Sequence, residues 1–257
     1  MDQGEDGMTT LAFLGQFGDA IQFIFQGETT REGTEVGGSQ FLTLTIDHLE
    51  LSIVAMAVAC AIAIPLGLWL GHKRRWQFLA ISVSNIGRAV PSLALIAFFV
   101  AYLGTGFVNV TLALVLLAIP PILTNAYVGV TQVNADTVDA ARGMGMTEGE
   151  IVRRVELPLA LPLIFGGIRI SAVNVIATAT IAPLAGINTL GDPIINSSGY
   201  GETGQLAAAM LVAALAVLAE LLLGAAQRAV TPEGIKLESN ASRRKRIPIP
   251  IRRQAQI

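Results

Sequence analysis

Residues 134–159 read NADTVDAARGMGMTEGEIVRRVELPL, the one long polar, charge-bearing stretch between two strongly apolar ones. The spacing predicts two short helices joined by a turn. Asn134 is placed to cap the first helix, and Ala140 and Ala141 are strong helix formers with almost no side-chain bulk. Gly143 and Gly145 loosen its end, because glycine accepts the backbone angles of a tight turn. Thr147-Glu148-Gly149-Glu150 has the form of a capping box that starts the second helix. Pro158 ends that segment or starts the next helix, since a proline disfavours helical geometry in the residue before it. The product is a small-faced helical hairpin, residues 134–158, on which a partner can dock. The alternative is a polar loop that only connects two helices.

Working outward, the flanks are membrane-like. Hydrophobic residues make up 53% of the 257-residue chain and charged ones 14%, too apolar a balance for a water-exposed surface. The apolar residues fall in long blocks, which predicts an all-α, polytopic membrane protein. Cys60 is alone, so no disulfide forms within the chain, and its apolar block suggests a buried thiol. Asp2, Glu5 and Asp6, with no basic cluster, do not resemble a cleaved signal peptide.

Residues 11–25 are shorter than the roughly 20 residues that cross a bilayer. Leu14, Phe17, Ile21 and Ile24 share one helical face, which predicts an interfacial helix lying on the membrane; a weak span is the alternative. Residues 27–40 form a polar, Gly-rich connector expected to be exposed. Five spans follow: residues 51–70, 77–103, 107–130, 159–184 and 206–226. The expected organisation is an extracytoplasmic N-terminal segment (1–42), a transmembrane domain (43–228) and a basic tail (229–257).

Charge sets the orientation. Lys73, Arg74 and Arg75 fall on the same side as Arg142, Arg153, Arg154 and the basic tail, whereas the other side carries only Arg31. The positive-inside rule makes the basic side cytoplasmic. The N-terminus is then outside, and the hairpin and C-terminus are inside. The tail anchors this topology or attracts anionic lipid headgroups.

The hairpin resembles the cytoplasmic coupling motif of ABC importer permeases: Glu-Ala-Ala, three residues, Gly, nine residues, Ile, one residue, Leu-Pro. Asp139, Ala140, Ala141, Gly145, Val155, Leu157 and Pro158 fall at those spacings, with Asp139 in place of Glu and Val155 in place of Ile. Asp47-His48-Leu49, Gly87-Arg88-Ala89-Val90-Pro91-Ser92-Leu93-Ala94-Leu95 and Glu156-Leu157-Pro158-Leu159-Ala160-Leu161-Pro162 are similar to segments of the osmoprotectant group, which handles glycine betaine, carnitine and choline. Leu190-Gly191 stands where that group has Gly-Leu-Gly, with Thr189 replacing the first glycine. Methionine permeases share several of these positions.

The resemblance implies a five-span type I ABC importer permease, a transport subunit rather than an enzyme. It also implies cytoplasmic ABC ATPase subunits, a second permease copy of the same or a sister chain, and an extracytoplasmic substrate-binding protein. All of this sits in the lipid bilayer of the cell membrane.

Charged groups inside a span are costly unless paired or hydrated, so Arg88, Arg169 and Glu220, with Asn174, are the intramembrane candidates. They line the pathway or form a structural ion pair between helices, and Glu220 is expected within reach of one arginine. His48 is expected to be satisfied by backbone. No phosphate-binding loop, metal-ligand spacing, catalytic triad or nucleic-acid signature is evident, and no cofactor is expected. An ion-coupled secondary transporter is the competing class. It usually places several acidic groups at the bilayer midplane, and here only Glu220 qualifies.

Overall fold

The computed structural model describes residues 3–29, 35–74, 82, 87 and 89–231. The expectations for Arg31, Arg75, Arg88 and the basic tail, and for most of residues 77–91, lie outside the described residues.

Helix α1 (Gln3–Gln26) leads into a two-residue antiparallel ribbon, β1 (Glu28–Thr29) with β2 (Glu35–Val36). Helix α2 (Ser39–His72) begins well ahead of its apolar block, and α3 spans Ser92–Leu103. Helix α4 (Phe107–Thr131) opens into the hairpin of α5 (Ala135–Gly143) and α6 (Glu148–Ile151). A π segment, Val152–Glu156, runs without a break into α7 (Leu157–Thr178), which tightens to a 3-10 helix over Ala179–Ala185. Helices α8 (Gly191–Ile195) and α9 (Ser197–Val230) complete the described chain.

Among the described residues four helical runs are long and apolar enough to cross a membrane: Ser39–His72, Phe107–Thr131, Glu148–Ala185 and Ser197–Val230. At 1.5 Å per residue the 34-residue α2 is about 51 Å long, so it projects beyond a hydrocarbon core of about 30 Å. Ile53, Trp69, Leu116 and Leu221 point outward. In water such a surface would aggregate; in lipid it is ordinary.

What holds the bundle is close backbone approach. Gly67 and Gly71 lie on one face of α2, in a GxxxG pattern. A Cβ on Gly67 would sit 2.6 Å from Ala126 Cβ, and one on Gly71 would sit 2.7 Å from Val130 Cβ. On the far side of α4, a Cβ on Gly129 would meet Ala160 at 2.9 Å, and one on Gly167 would meet the Pro121 carbonyl at 2.8 Å. Small residues let helices approach where lipid offers no hydrophobic drive for association. Buried polar contacts join the same three helices, α7 to α4 through Ser171 and α2 to α7 through His48. Ser171 Oγ donates to the Ala118 carbonyl at 2.9 Å, and His48 Nε2 lies 3.0 Å from the Ile176 carbonyl.

Two expectations are corrected. Helix α1 starts ahead of residue 11, and the face it buries carries Ala20 and Phe23, with Ile24 at its edge, whereas Ile21 is exposed. Phe23 stacks edge-on against Phe41 at 5.6 Å, and Phe41 against Tyr200 at 6.4 Å; this aromatic cluster sets the helix rotation. The connector is not uniformly exposed either, because Gly37 is buried under the Phe23 ring.

Replacing Gly67 or Gly71 by valine is expected to destabilise the bundle by about 1–3 kcal/mol through overpacking. Thermal unfolding in detergent checks this, with exposed Gly149→Val as the control that leaves the midpoint in place.

Candidate functional site

The hairpin has a core of its own. Val133, Val138, Ala141 and Ile151 are buried, with Met146, Val155 and Leu159 packed on them. Asn134 caps α5 by accepting from the Asp136 amide at 2.8 Å. Gly145 turns the chain at φ 85°, a conformation that a side chain would strain. Thr147 and Glu150 complete the reciprocal capping box. Pro158 sits in the first turn of α7, and Leu157 stays helical before it. The wide π turn just upstream moves aside the carbonyl that a proline ring would strike.

The motif therefore divides in two. Ala141 faces the hairpin core, with Val155 packed against it, and Leu157 and Pro158 are half-buried where the hairpin meets the bundle. Asp139, Ala140 and Gly145 face outward. Arg142 braces this outer face. It donates to Asp139 at 2.8 Å and, through Nε and Nη2, to both oxygens of Glu148 at 3.0 and 3.2 Å. That hydrogen-bonded pairing holds the Glu148 carboxyl below the usual carboxylate range. A small-faced, rigid, charge-rimmed protrusion of this kind can fill a groove on another protein.

Lys73 and Arg74, at the end of α2, sit beside the hairpin, in a shared cleft of about 270 Å³ with Asp139 and Arg142. The described basic residues on which the orientation rests are thus at one end of the bundle. At the other end the Gly106 amide donates to the Ala185 carbonyl at 3.2 Å.

The intramembrane candidates separate. Arg169 on α7 donates through Nη2 to Glu220 on α9, and through Nη1 to Gln227 at 2.6 Å. Gln227 in turn donates to the Pro162 carbonyl at 2.7 Å, so the polar chain returns to α7. Glu220 and Arg169 do not face the interior of this chain's own bundle. With Asn174 they line an open groove of about 690 Å³ whose described lining comes from α7 and α9 alone. Asn174 also borders a second cleft of about 300 Å³, with Pro120 and Pro121.

Residues 63–232 match the family described as binding-protein-dependent transport system inner membrane component. The chain belongs to this family. A choline transport system permease protein of Bacillus subtilis is 37% identical over 203 residues, 79% of this chain and 94% of that one. A glycine betaine/carnitine/choline permease protein of the same organism is 36% identical over the same length, with the same coverage. A carnitine transport permease protein of Listeria monocytogenes is 37% identical over 200 residues, covering 77% and 92%. Among solved structures, an inward-facing form of the MetNI methionine ABC transporter superposes with a TM-score of 0.66 at 23% identity, covering 75% of this chain and 97% of that one. The chain is thus an ABC importer permease, an all-α membrane transport subunit rather than an enzyme. Family membership sets aside the ion-coupled secondary transporter.

In this permease two groupings were not legible in the sequence. Tyr200 bridges the end opposite the hairpin, accepting from Gln40 and donating to Asp192, both at 2.9 Å. His72 and Glu156 pair at 2.8 Å beneath the hairpin. Both join residues far apart in sequence through ordinary polar side chains, which no local pattern marks. Thr189, the departure from Gly-Leu-Gly, is fully buried and hydrogen-bonds the Ala179 carbonyl at 2.9 Å.

The Arg169–Glu220 pair is expected to show coupling. Glu220→Leu alone strands the Arg169 cation beside apolar side chains and lowers the melting temperature of the detergent-solubilised permease. The double substitution Arg169→Met/Glu220→Leu recovers part of that loss. Equal loss in the single and double variants would show no energetic pairing.

Proposed function

We propose that the chain forms half of the translocation pathway of an ATP-driven importer for small quaternary ammonium osmoprotectants, glycine betaine, choline or carnitine. The carrying observation is the likeness at 36–37% identity over almost the whole length of permeases named for these solutes. The methionine likeness is of fold alone.

On this reading the outward face of Asp139, Ala140 and Gly145 docks in a groove on a cytoplasmic ATPase subunit. The buried Ala141 and Val155 keep the hairpin rigid, and Leu157 and Pro158 join it to α7. Closure of the ATPase pair moves the hairpins, and the glycine-packed α2, α4 and α7 follow as a body. A second permease copy completes the pathway, its neighbouring surface closing over the open groove at Asn174, Arg169 and Glu220. Those three residues then border the pathway. Arg88, at the start of the segment that leads to Pro91, is the remaining candidate. An extracytoplasmic binding protein delivers solute at the end marked by Tyr200 and Asp192. The basic end faces the cytoplasm and the N-terminus faces out, with α1 resting against the outer part of α9 at the membrane surface.

The test is uptake of labelled glycine betaine, choline and carnitine by cells expressing the whole transporter, with labelled methionine as control. Quaternary-amine uptake that Leu157→Asp abolishes, with normal membrane insertion, is the expected outcome. Methionine uptake alone discards the substrate class. Uptake indifferent to Leu157→Asp discards the coupling role of the hairpin.

A further inference from the structure

Chain continuity ties the hairpin to α4 at one end and to α7 at the other. Helix α2 has no such link. Its ties to the hairpin are made by side chains at its last turn, and they converge on His72.

His72 Nδ1 lies 2.8 Å from Glu156 Oε2, and Nε2 lies 3.0 Å from Glu148 Oε2. The imidazole is therefore held between two carboxylates, one from the π segment and one from the first turn of α6. Glu156 is only 3% exposed, and among the described residues His72 is its one side-chain hydrogen-bond partner. Glu148 is shared with Arg142, which reaches on to Asp139. A continuous polar chain thus runs from the buried Glu156 through His72, Glu148 and Arg142 to the outward Asp139. Arg74 adds a second tie, donating to the Val133 carbonyl at 3.2 Å from a backbone at φ 48°, a strained angle for a residue other than glycine. Lys73 is the remaining charged neighbour of this cluster.

We propose that His72 is a positioning residue of the coupling step, a clamp that fixes the second arm of the hairpin against α2. It makes α2 follow the hairpin when the ATPase moves it. The proposal rests on the coupling reading of the hairpin given above. Position 72 faces carboxylates on both sides. One carboxylate oxygen faces each of the two ring nitrogens, so a side chain that donates in both directions, or a cation, fits this helix C-terminus. Without His72 the buried Glu156 carboxyl loses its one side-chain partner among the described residues, and the arm must shift to hydrate it. The outward face would then move relative to α2 while its own packing core, which contains neither residue, stays intact.

The experiment uses the complete transporter reconstituted in liposomes with its binding protein, and labelled choline as the transported probe. Three quantities are read: ATPase subunits retained on the purified permease, binding-protein-stimulated ATP hydrolysis, and choline moved per ATP. For His72→Gln the ATPase is expected to stay bound and to hydrolyse ATP. Choline moved per ATP is expected to fall on the order of tenfold, within the range of a single coupling contact. His72→Lys, which sets a donor before the carboxylates again, is expected to recover most of the ratio, and Glu156→Gln to lower it as His72→Gln does. Loss of ATPase binding in His72→Gln, a parallel fall of hydrolysis and uptake without rescue by lysine, or an unchanged ratio would each overturn the proposal. A separate variant, Ala140→Glu, leaves the clamp intact and addresses the parent reading. Undiminished ATPase retention there means that the hairpin is not the dock, and both readings fall together.

Discussion

Two glycine-lined seams, α2 against α4 and α4 against α7, are what the rest of this molecule depends on. In a bilayer the backbone must satisfy itself, so the elements are helices, and apolar surface gains little by leaving lipid for protein. Association must then come from close packing and from hydrogen bonds between helices. Gly67 and Gly71 admit the α4 backbone on one side, and Gly129 and Gly167 bring α4 and α7 together on the other. Ser171 and His48 add polar contacts across the same trio. Helix α4 is accordingly buried along most of its length, whereas α9 turns Val217, Leu218 and Leu221 outward.

On the proposed reading, that packed trio lets a small hairpin act on the whole permease. The hairpin leaves α4 and returns as α7, and its polar chain reaches α2. Its own core of four buried apolar residues is too small to hold a shape without those anchors. The described charges divide accordingly. Those of the hairpin and the α2 terminus are gathered at one end, where they brace the protrusion. The Arg169–Glu220 pair stands apart on the edge of an open groove, joined through Gln227 to the Pro162 carbonyl of α7. This side-chain-to-backbone bond ties α9 to α7 beside the ion pair.

Much of the hairpin was legible because its determinants are local. The Asn134 cap, the Thr147–Glu150 box and the Gly145 turn are each decided within a few residues, and the structure forms all three. The long apolar blocks showed spans for the same reason. What local pattern could not show is the partner across the bundle. Glu156 looks like a surface carboxylate in Arg-Val-Glu-Leu-Pro, and only His72, distant in sequence, makes it a buried one. The α1 periodicity fits more than one rotation, and Phe41 and Tyr200 choose the one with Phe23 inward. The starts of α2 and α9 lie in polar sequence, which hydropathy does not mark as helix. Gly67 and Gly71 read as two more glycines in an apolar run until Ala126 and Val130 are seen against them.

The central claim is that the outward face of residues 139–145 is where ATP-driven motion enters the permease. Site-directed cross-linking tests it most directly. In a Cys60→Ser background, Ala140→Cys on the exposed face of α5 and Val217→Cys on the apolar face of α9 are each labelled with a short reagent, thiol-directed at one end and photoactivatable at the other, and irradiated in membranes holding the whole transporter. The account predicts a covalent adduct between the Ala140→Cys permease and an ATPase subunit, with a yield that changes when nucleotide is bound, and no such adduct from Val217→Cys. An Ala140→Cys permease that never joins the ATPase, while transport persists, would contradict the account at its base.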